Sequence, residues 1–234
     1  LFAAMKDSCY LTVSGMPVLF LYGLDDWKTE DVLKLRQSAA NAGITKALYI
    51  VGMSLKTDLN KFTSNAKKGI DAISWYGVGA NAKGESFESL AKHCEQAMNV
   101  ISGYCLANSI DLIPAFTTGR DTRARIETGV TWVDGDPNAA NDNDKPYKNR
   151  YALPPTMAEL EKHMQNIISY ANTNKLNCKT NIVCSYGWNE HEEGGWLCPT
   201  LAVDENNNVH FLHVNNVKKP VPFYSLDVII SVGY

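Results

Sequence analysis

The sequence lacks the features that would mark a membrane protein, a nucleic-acid-binding protein or a nucleotide-dependent enzyme. No apolar run reaches the roughly 20 residues needed to span a bilayer. The 22 lysines and arginines form no basic cluster, and the net charge of −3 gives no electrostatic footprint for nucleic acid. No predicted strand is followed by a Gly-rich phosphate turn of the G-x-G-x-x-G type. We therefore expect no membrane span, no nucleic-acid partner and no cofactor.

Metal-binding patterns are also missing. The six cysteines form no C-x-x-C pair and no Cys/His cluster with zinc spacing, and we interpret them as small buried hydrophobes. His191 has no second histidine at ligand spacing, and we expect it to support a site. The acidic stretch from Asp134 to Asp144 lacks the Gly and terminal Glu of an EF-hand loop. We predict a flexible polar loop there and no metal site.

Short apolar runs alternate with helical patterns along the first 200 residues. The apolar runs predict five strands, at residues 17–22, 47–51, 71–76, 110–117 and 181–186. Apolar periodicity predicts helices over residues 29–42, 58–68, 87–105 and 156–168, and Thr156-x-x-Glu159 fits a capping box. Because parallel neighbours need helical crossovers, this alternation predicts an α/β fold with a parallel sheet.

Two α/β architectures fit this pattern. An open doubly wound sheet can use five strands, whereas a (β/α)8 barrel needs eight strands and typically about 250 residues. The polar stretch over residues 118–155 is long enough to be a functional or a disordered loop. Residues 201–234 break the rhythm, and two strand-like runs around a turn at 204–208 predict a β-hairpin or an irregular terminal extension.

Polar and aromatic side chains collect at the predicted strand ends. In a parallel α/β fold these ends share one face, and that face carries the active site. An indole face suits the apolar face of a sugar ring, while Asp, Asn and Arg suit its hydroxyls. The alternative is that the tryptophans only seal the top of a core. The residues predicted to bind a carbohydrate substrate are Tyr22, Asp25, Trp75, Tyr76, Arg120, Asp121, Arg125, Trp188, Asn189, His191 and Trp196.

Two carboxylates in this set are placed for acid/base chemistry. Glu190 and Glu193 are three residues apart directly after the fifth strand, so a single turn can aim both into one cleft. Glycoside cleavage needs one protonated carboxyl group at the leaving oxygen and one ionised group as base or nucleophile. We predict that Glu190 and Glu193 are the catalytic pair, with Glu192 replacing Glu193 if the turn differs. The alternative is a solvated acidic loop, against which the flanking tryptophans and glycines argue.

Sequence motifs resemble one known family. The segment Tyr186-Gly187-Trp188-Asn189-Glu190-His191-Glu192-Glu193-Gly194-Gly195-Trp196-Leu197-x-Pro199 resembles the W-N-E-x-x-E-G-x-x-x-x-P signature of the WbsX-like proteins. These are relatives of the endo-acting α-mannosidases of glycoside hydrolase family 99. Residues 10–22 resemble that family's Y-x-x-V-x-G-K-P-V-x-x-I-Y stretch, and residues 71–76 and 119–125 match more loosely. Together the matches cover roughly residues 5–200, and the W-N-E motif is the specific one.

The resemblance implies a (β/α)8 barrel that acts on polysaccharide or glycan chains. By motif position it implies Glu190 as the base and Glu193 as the acid, with the base activating the sugar's own 2-hydroxyl. The hypothesis is therefore a glycoside hydrolase, and the alternative is a non-catalytic glycan-binding or glycan-assembly protein on the same scaffold. A Glu→Gln change at either position separates the two.

The resemblance also implies where the chain lies in the barrel. Family members carry an N-terminal portion with the first barrel strands, so the five predicted strands would be the last five of eight. We accordingly expect an incomplete barrel with the catalytic site over residues 1–200 and an extension over residues 201–234. Leu1 is not a methionine and no signal peptide follows it, so either processing removed one or the chain is a piece of something longer. Because relatives act on glycans outside the cytoplasm, the expected location is extracellular or periplasmic.

Overall fold

The computed structural model describes residues 1–54, 59–123, 150–190, 193–197, 200–203, 209–212 and 228–232. The α-helices are α1 (Thr29–Asn41), α2 (Leu59–Ala66), α3 (Phe87–Ala107) and α4 (Met157–Thr173), with short 3-10 helices at Ala4–Lys6 and Leu24–Asp26. The strands are β1 (Thr12–Val13), β2 (Met16–Tyr22), β3 (Tyr49–Ser54), β4 (Ala72–Trp75), β5 (Lys83–Glu85), β6 (Asp111–Leu112), β7 (Ala115–Phe116), β8 (Tyr151–Ala152), β9 (Ile182–Tyr186), β10 (Asn189–Glu190), β11 (Gly195–Trp196), β12 (Thr200–Val203), β13 (Val209–Leu212) and β14 (Val228–Val232). In this part of the chain no helix is long and apolar enough to cross a membrane.

The fold is mixed α/β with a curled half-barrel sheet. β2, β3 and β4 pair in parallel in chain order, and β6 continues the sheet beside β4. β9 pairs in parallel with β7 on one side and with β14 on the other. Helices α1, α2, α3 and α4 lie between successive parallel strands in the sequence. This arrangement confirms the predicted parallel α/β architecture, whose strands need such crossovers.

One short segment, residues 111–116, joins the two parts of the sheet, and we call it the seam. The N–H of Ile113 donates to the carbonyl of Ile73 in β4 at 2.9 Å. On the opposite side, the N–H of Cys184 in β9 donates to the carbonyl of Pro114 at 2.8 Å. Because proline has no N–H, the strand is interrupted at this residue and is divided into β6 and β7. The predicted single strand over 110–117 is thus two short strands with different partners.

The structure corrects the predicted strand count. Within the described part of the curled sheet, β14 (Val228–Val232) is a sixth parallel position, with Val228 opposite Ile182 and Val232 opposite Tyr186 in β9. The prediction that β9 is the last parallel strand is therefore wrong. The region predicted as a terminal extension contains this strand as well as the antiparallel pair β12 and β13. The sequence Val-Ile-Ile-Ser-Val has four apolar residues out of five, a composition typical of parallel strands.

The local sequence explains why α3 and α4 form. In α3 the buried side chains recur at three- and four-residue spacing, which is the apolar stripe that the sequence predicts. The buried cysteines 94, 105, 178 and 184 fill the core as small hydrophobes, and burial raises the pKa of each thiol to about 12. At the start of α4, the Glu159 carboxylate accepts from the N–H of Thr156 at 2.8 Å, which confirms the capping box.

Candidate active site

Two buried glutamates lie beyond the C-terminal end of β9. β10 and β11 form a tight antiparallel pair with Asn189 opposite Trp196 and Glu190 opposite Gly195. Glu193 falls in the turn between these strands. Glu190 and Glu193 are each only 6% exposed to solvent. Glu190 and Glu193 are therefore shielded from solvent, and a buried carboxylate is stable only where other groups bind it.

Tyr76 binds the first of these carboxylates. Its hydroxyl donates to Oε1 of Glu190 at 2.7 Å, and it comes from the residue directly after β4. Burial, followed by this hydrogen bond to Glu190, raises the pKa of the Tyr76 hydroxyl above its ordinary value. The phenol therefore stays protonated at neutral pH and acts as a donor to the carboxylate. This contact joins residues 114 positions apart in the sequence.

Arg120 and Tyr186 bind the second carboxylate. The Arg120 guanidinium forms an ion pair with Oε2 of Glu193, and the Tyr186 hydroxyl donates to the same oxygen. Arg120 Nη1 also donates to the Tyr186 hydroxyl oxygen at 2.9 Å, so the three groups form a closed triangle. Burial raises the pKa of Tyr186, whose hydroxyl therefore remains a donor. Charge-assisted contacts of this kind are about twice as strong as neutral ones and fix the carboxylate's orientation.

The tyrosine rings connect the two carboxylates. The rings of Tyr76 and Tyr186 meet edge to face, with centroids 5.1 Å apart. On its other side, Tyr76 packs against Tyr22 at a centroid distance of 5.6 Å. Tyr22 and Tyr186 are the last residues of β2 and β9, and Tyr76 directly follows β4. The curled sheet thus brings three strand ends together around Glu190 and Glu193.

Glycines let the loop after β7 approach the loop after β9. Gly194 has φ +69°, and a Cβ added there would lie 2.6 Å from Cβ of Asp121 and 2.7 Å from its nitrogen. Gly187 has φ +80°, and a Cβ there would lie 2.7 Å from the Thr118 hydroxyl. The Asp121 N–H donates to the carbonyl of Glu193 at 2.5 Å across this contact. Only glycine fits both the left-handed backbone and the lack of space.

Eight of the eleven predicted substrate-binding residues fall into three groups. Arg120 and Tyr76 contact the glutamates, and Tyr22 packs beside them. Asn189 and Trp188 are exposed next to Glu190, with Trp188 at 49% exposure, and Trp196 is half-buried opposite Asn189. Their roles in substrate binding remain predictions. His191 and Arg125, together with Glu192, lie outside the described residues.

Three other predicted residues are engaged elsewhere. Trp75 is 1% exposed and belongs to the hydrophobic core, and its part in substrate binding stays a prediction. Side chains alternate along a strand, and because Tyr76 points to the glutamates, its neighbour points to the core. Asp25 forms a surface ion pair with Lys61 at 2.5 Å. Asp121 pairs with Arg123 at 2.7 Å, while its backbone contacts the glutamate loop.

Sequence reasoning missed two residues that build the site. The W-N-E motif includes Tyr186 without giving it a role, although Tyr186 ends its strand as Tyr22 does. Thr118 donates from its hydroxyl to the carbonyl of Tyr186 at 2.9 Å and so connects the end of β9 to the loop after β7. The repeated occurrence of tyrosine at strand ends could have identified Tyr186. No local pattern distinguishes Thr118 from other polar loop residues.

Comparison with known proteins gives a matching family model and a similar solved structure. The family model described as "Glycosyltransferase WbsX" matches residues 1–212. Among solved structures, the chain is similar to the GH99 endo-alpha-mannosidase from Bacteriodes thetaiotaomicron in complex with BIS-TRIS-Propane, at 16% identity and a TM-score of 0.47. That match covers 87% of this chain and 53% of the other, so the chain spans about half the length of that protein. No curated protein matches the sequence.

Proposed function

Because the chain belongs to the WbsX glycosyltransferase family, we propose that it is a glycan-processing enzyme whose reaction centre is Glu190 and Glu193. The family membership confirms the resemblance that the W-N-E motif predicts. The observation that carries the proposal is that two buried carboxylates, connected through Tyr76 and Tyr186, lie at the C-terminal end of parallel strands. That end of a parallel sheet is where α/β enzymes bind their substrates. On this proposal the curled sheet is part of a (β/α)8 barrel.

The proposed reaction is hydrolysis of a glycosidic bond by a base and an acid. Following the motif, Glu190 takes the proton of the sugar's own 2-hydroxyl, whose oxygen bonds to the anomeric carbon. The glycosidic bond breaks at the same time, and Glu193 gives a proton to the leaving oxygen. Tyr76 orients the base through its 2.7 Å hydrogen bond. Glu193 forms an ion pair with Arg120, so its role as acid requires that a proton reaches it when the substrate binds. In the second half, water attacks the anomeric carbon and breaks its bond to the 2-oxygen. Glu193 takes a proton from this water, and Glu190 returns its proton to the 2-oxygen.

The proposed substrate is a polysaccharide or another glycan chain. Trp188 is 49% exposed two residues before Glu190, and Tyr22 is 43% exposed and packs against Tyr76. Flat aromatic faces of this kind can stack on the apolar face of a sugar ring while their polar edges remain in water. The exposed Asn189 adds an amide that can bind a sugar hydroxyl.

Glycosyl transfer is the second candidate, and the family's description favours it. Hydrolysis and transfer can share the same first half, in which the acid protonates the leaving oxygen and the base assists its departure. They differ in whether water or a sugar hydroxyl takes the sugar. The same two carboxylates serve both reactions. Identifying the molecule that accepts the sugar therefore distinguishes them.

The test compares single-atom replacements at three glutamates. Glu190→Gln, Glu193→Gln and the control Glu161→Gln, which lies exposed on α4, are incubated with a panel of reducing-end-labelled oligosaccharides and polysaccharides. Chromatography with mass spectrometry then measures both chain shortening and chain lengthening. Loss of acid or base assistance should slow turnover by about 10²- to 10⁴-fold in the first two variants, with no change in the control.

The outcomes separate the candidates. Lengthened products that depend on both glutamates support transfer, and shortened products support hydrolysis. A substrate with a very good leaving group, such as a glycosyl fluoride, assigns the roles, because only the variant that lacks the acid keeps turnover on it. If both Gln variants bind glycan and turn it over like the unmodified chain, Glu190 and Glu193 are not the reaction centre. Glycan binding without any turnover in the unmodified chain supports the binding-protein alternative.

A further inference from the structure

A buried histidine lies beneath the loop that carries Arg120. His163, on the inward face of α4, is 1% exposed. Its ring meets the rings of Phe87 and Phe116 edge-on, with centroid distances of 5.9 and 6.4 Å. A polar ring in such surroundings is stable only when both of its nitrogens have hydrogen-bond partners. Both nitrogens of His163 do.

The partners of His163 determine its tautomer. The N–H of Thr117 lies 3.2 Å from Nε2, and because a peptide N–H can only donate, Nε2 accepts. Nδ1 therefore carries the proton and donates to Oε1 of Glu95 in α3 at 3.0 Å. Asn166 donates to the same oxygen at 3.0 Å. The hydrogen bond from His163 is the main cause that lowers the pKa of Glu95, so an ionised acceptor faces Nδ1 at neutral pH.

Thr117 connects the hydrogen-bonded pair of His163 and Glu95, here called the relay, to the candidate active site. It directly follows β7, and its N–H points to α4. Its hydroxyl donates to the carbonyl of Gly119 at 3.2 Å, and the next residue, Thr118, donates to the carbonyl of Tyr186 at 2.9 Å. Arg120 lies three residues beyond Thr117 and forms the ion pair with Glu193. The position of Thr117 therefore limits where the guanidinium can lie.

We propose that His163 is a positioning residue that, through the N–H of Thr117, sets the place of Arg120 and so of the Glu193 carboxylate. Glu95 maintains the tautomer that this task needs. The proposal rests on the proposed function only in so far as Glu193 takes part in the reaction. Outer-shell groups that orient a reacting group typically change activity by about 10- to 100-fold when they are removed.

The test uses two amides that each preserve one half of the imidazole. In His163→Asn the side-chain amide can still donate to Glu95 from the place of Nδ1, but no acceptor reaches Thr117. In His163→Gln the longer side chain can place an oxygen where Nε2 lies and accept from Thr117. Asn166→Ala is the control, because it removes a hydrogen bond to Glu95 without altering an atom that contacts Thr117. Amide hydrogen exchange at residues 117–121 and steady-state kinetics are measured on the full chain.

We expect His163→Asn to speed exchange at Thr117 by about tenfold and to lower kcat by about tenfold or more, with KM changed by less than about threefold. His163→Gln should restore both quantities to within about threefold of the unmodified chain, and the control should match that chain. Unchanged exchange at Thr117 in His163→Asn overturns the proposal. So does a Gln variant that behaves like the Asn variant, because the histidine then only fills space. If the unmodified chain turns over no glycan, the proposed function fails by itself, and the exchange data still decide the positioning role.

Discussion

Gly194 offers the sharpest test of how the site is assembled. Replacing it by alanine places a methyl group at φ +69° and 2.6 Å from Cβ of Asp121. The left-handed backbone costs about 1 kcal/mol for a residue with a Cβ. Forcing an extra carbon into a closed contact costs about 1 to 3 kcal/mol more. The change should therefore lower the free energy of unfolding by about 2 to 4 kcal/mol and move Arg120 away from Glu193.

Gly69 provides the matched control for this change. It has φ +86°, lies exposed in the turn between α2 and β4, and a Cβ there would meet nothing within 4 Å. Gly69→Ala should consequently cost only the backbone term of about 1 kcal/mol. The difference between the two variants isolates the contact between the loops after β7 and β9.

Urea unfolding of both variants and of the unmodified chain measures the difference, and glycan turnover gives a second readout. In thermal unfolding, each 1 kcal/mol should shift the midpoint by about 2 to 4 °C for a domain of this size. We expect Gly194→Ala to lose turnover and Gly69→Ala to keep it. Equal stability losses in the two variants would refute the close approach of Gly194 to Asp121. Equal turnover would refute its importance for the reaction centre.

Three further predictions concern Tyr76, the tryptophans at positions 75 and 188, and Glu95. Tyr76→Phe removes one hydrogen bond to a buried carboxylate and should lower kcat/KM on glycans while costing about 1 to 3 kcal/mol of stability, measured by kinetics and urea unfolding. Trp188→Ala should weaken glycan binding in calorimetry with stability unchanged within about 0.5 kcal/mol, whereas Trp75→Ala should cost about 3 to 5 kcal/mol. The hydrogen bond from His163 lowers the pKa of Glu95 below its ordinary 4.5, so its stabilisation is present above that pH and is lost as pH falls through the lowered value. Glu95→Gln should therefore flatten the fall in unfolding free energy below pH 4.5, and an unchanged slope would contradict the relay.

The elements of the fold were predictable because their causes are local. Apolar periodicity predicts a helix over residues 87–105, where α3 spans Phe87–Ala107, and a reciprocal pair of side chains starts α4 at Met157. Continuous apolar runs predict strands that are buried on both faces. β14 escaped prediction because a strand's partner is not encoded near it, and the preceding residues show no helical periodicity to announce a crossover.

The site was predictable in its chemistry and less so in its contacts. Glu190 and Glu193 stand out because carboxylates, glycines and indoles rarely crowd together after an apolar run. Trp75 and Tyr76 illustrate the limit: alternation implies that they point in opposite directions, but only the packed sheet determines which direction is inward. The contact between His163 and Thr117 spans 46 residues and leaves no mark in either local sequence.

The seam at residues 111–116 also bears on which changes in chain length the protein can accept. Tyr76 comes from one side of the seam, Tyr186 comes from the other, and Arg120 follows four residues after it. Deleting or inserting a single residue between Ile113 and Ala115 would turn the side chains of β7 to the opposite face and shift Arg120 relative to the Glu193 carboxylate. The turn at Gly69, at the far end of the strands, bears no such constraint. Among members of this family, insertions and deletions should therefore accumulate at turns of that kind and spare the seam.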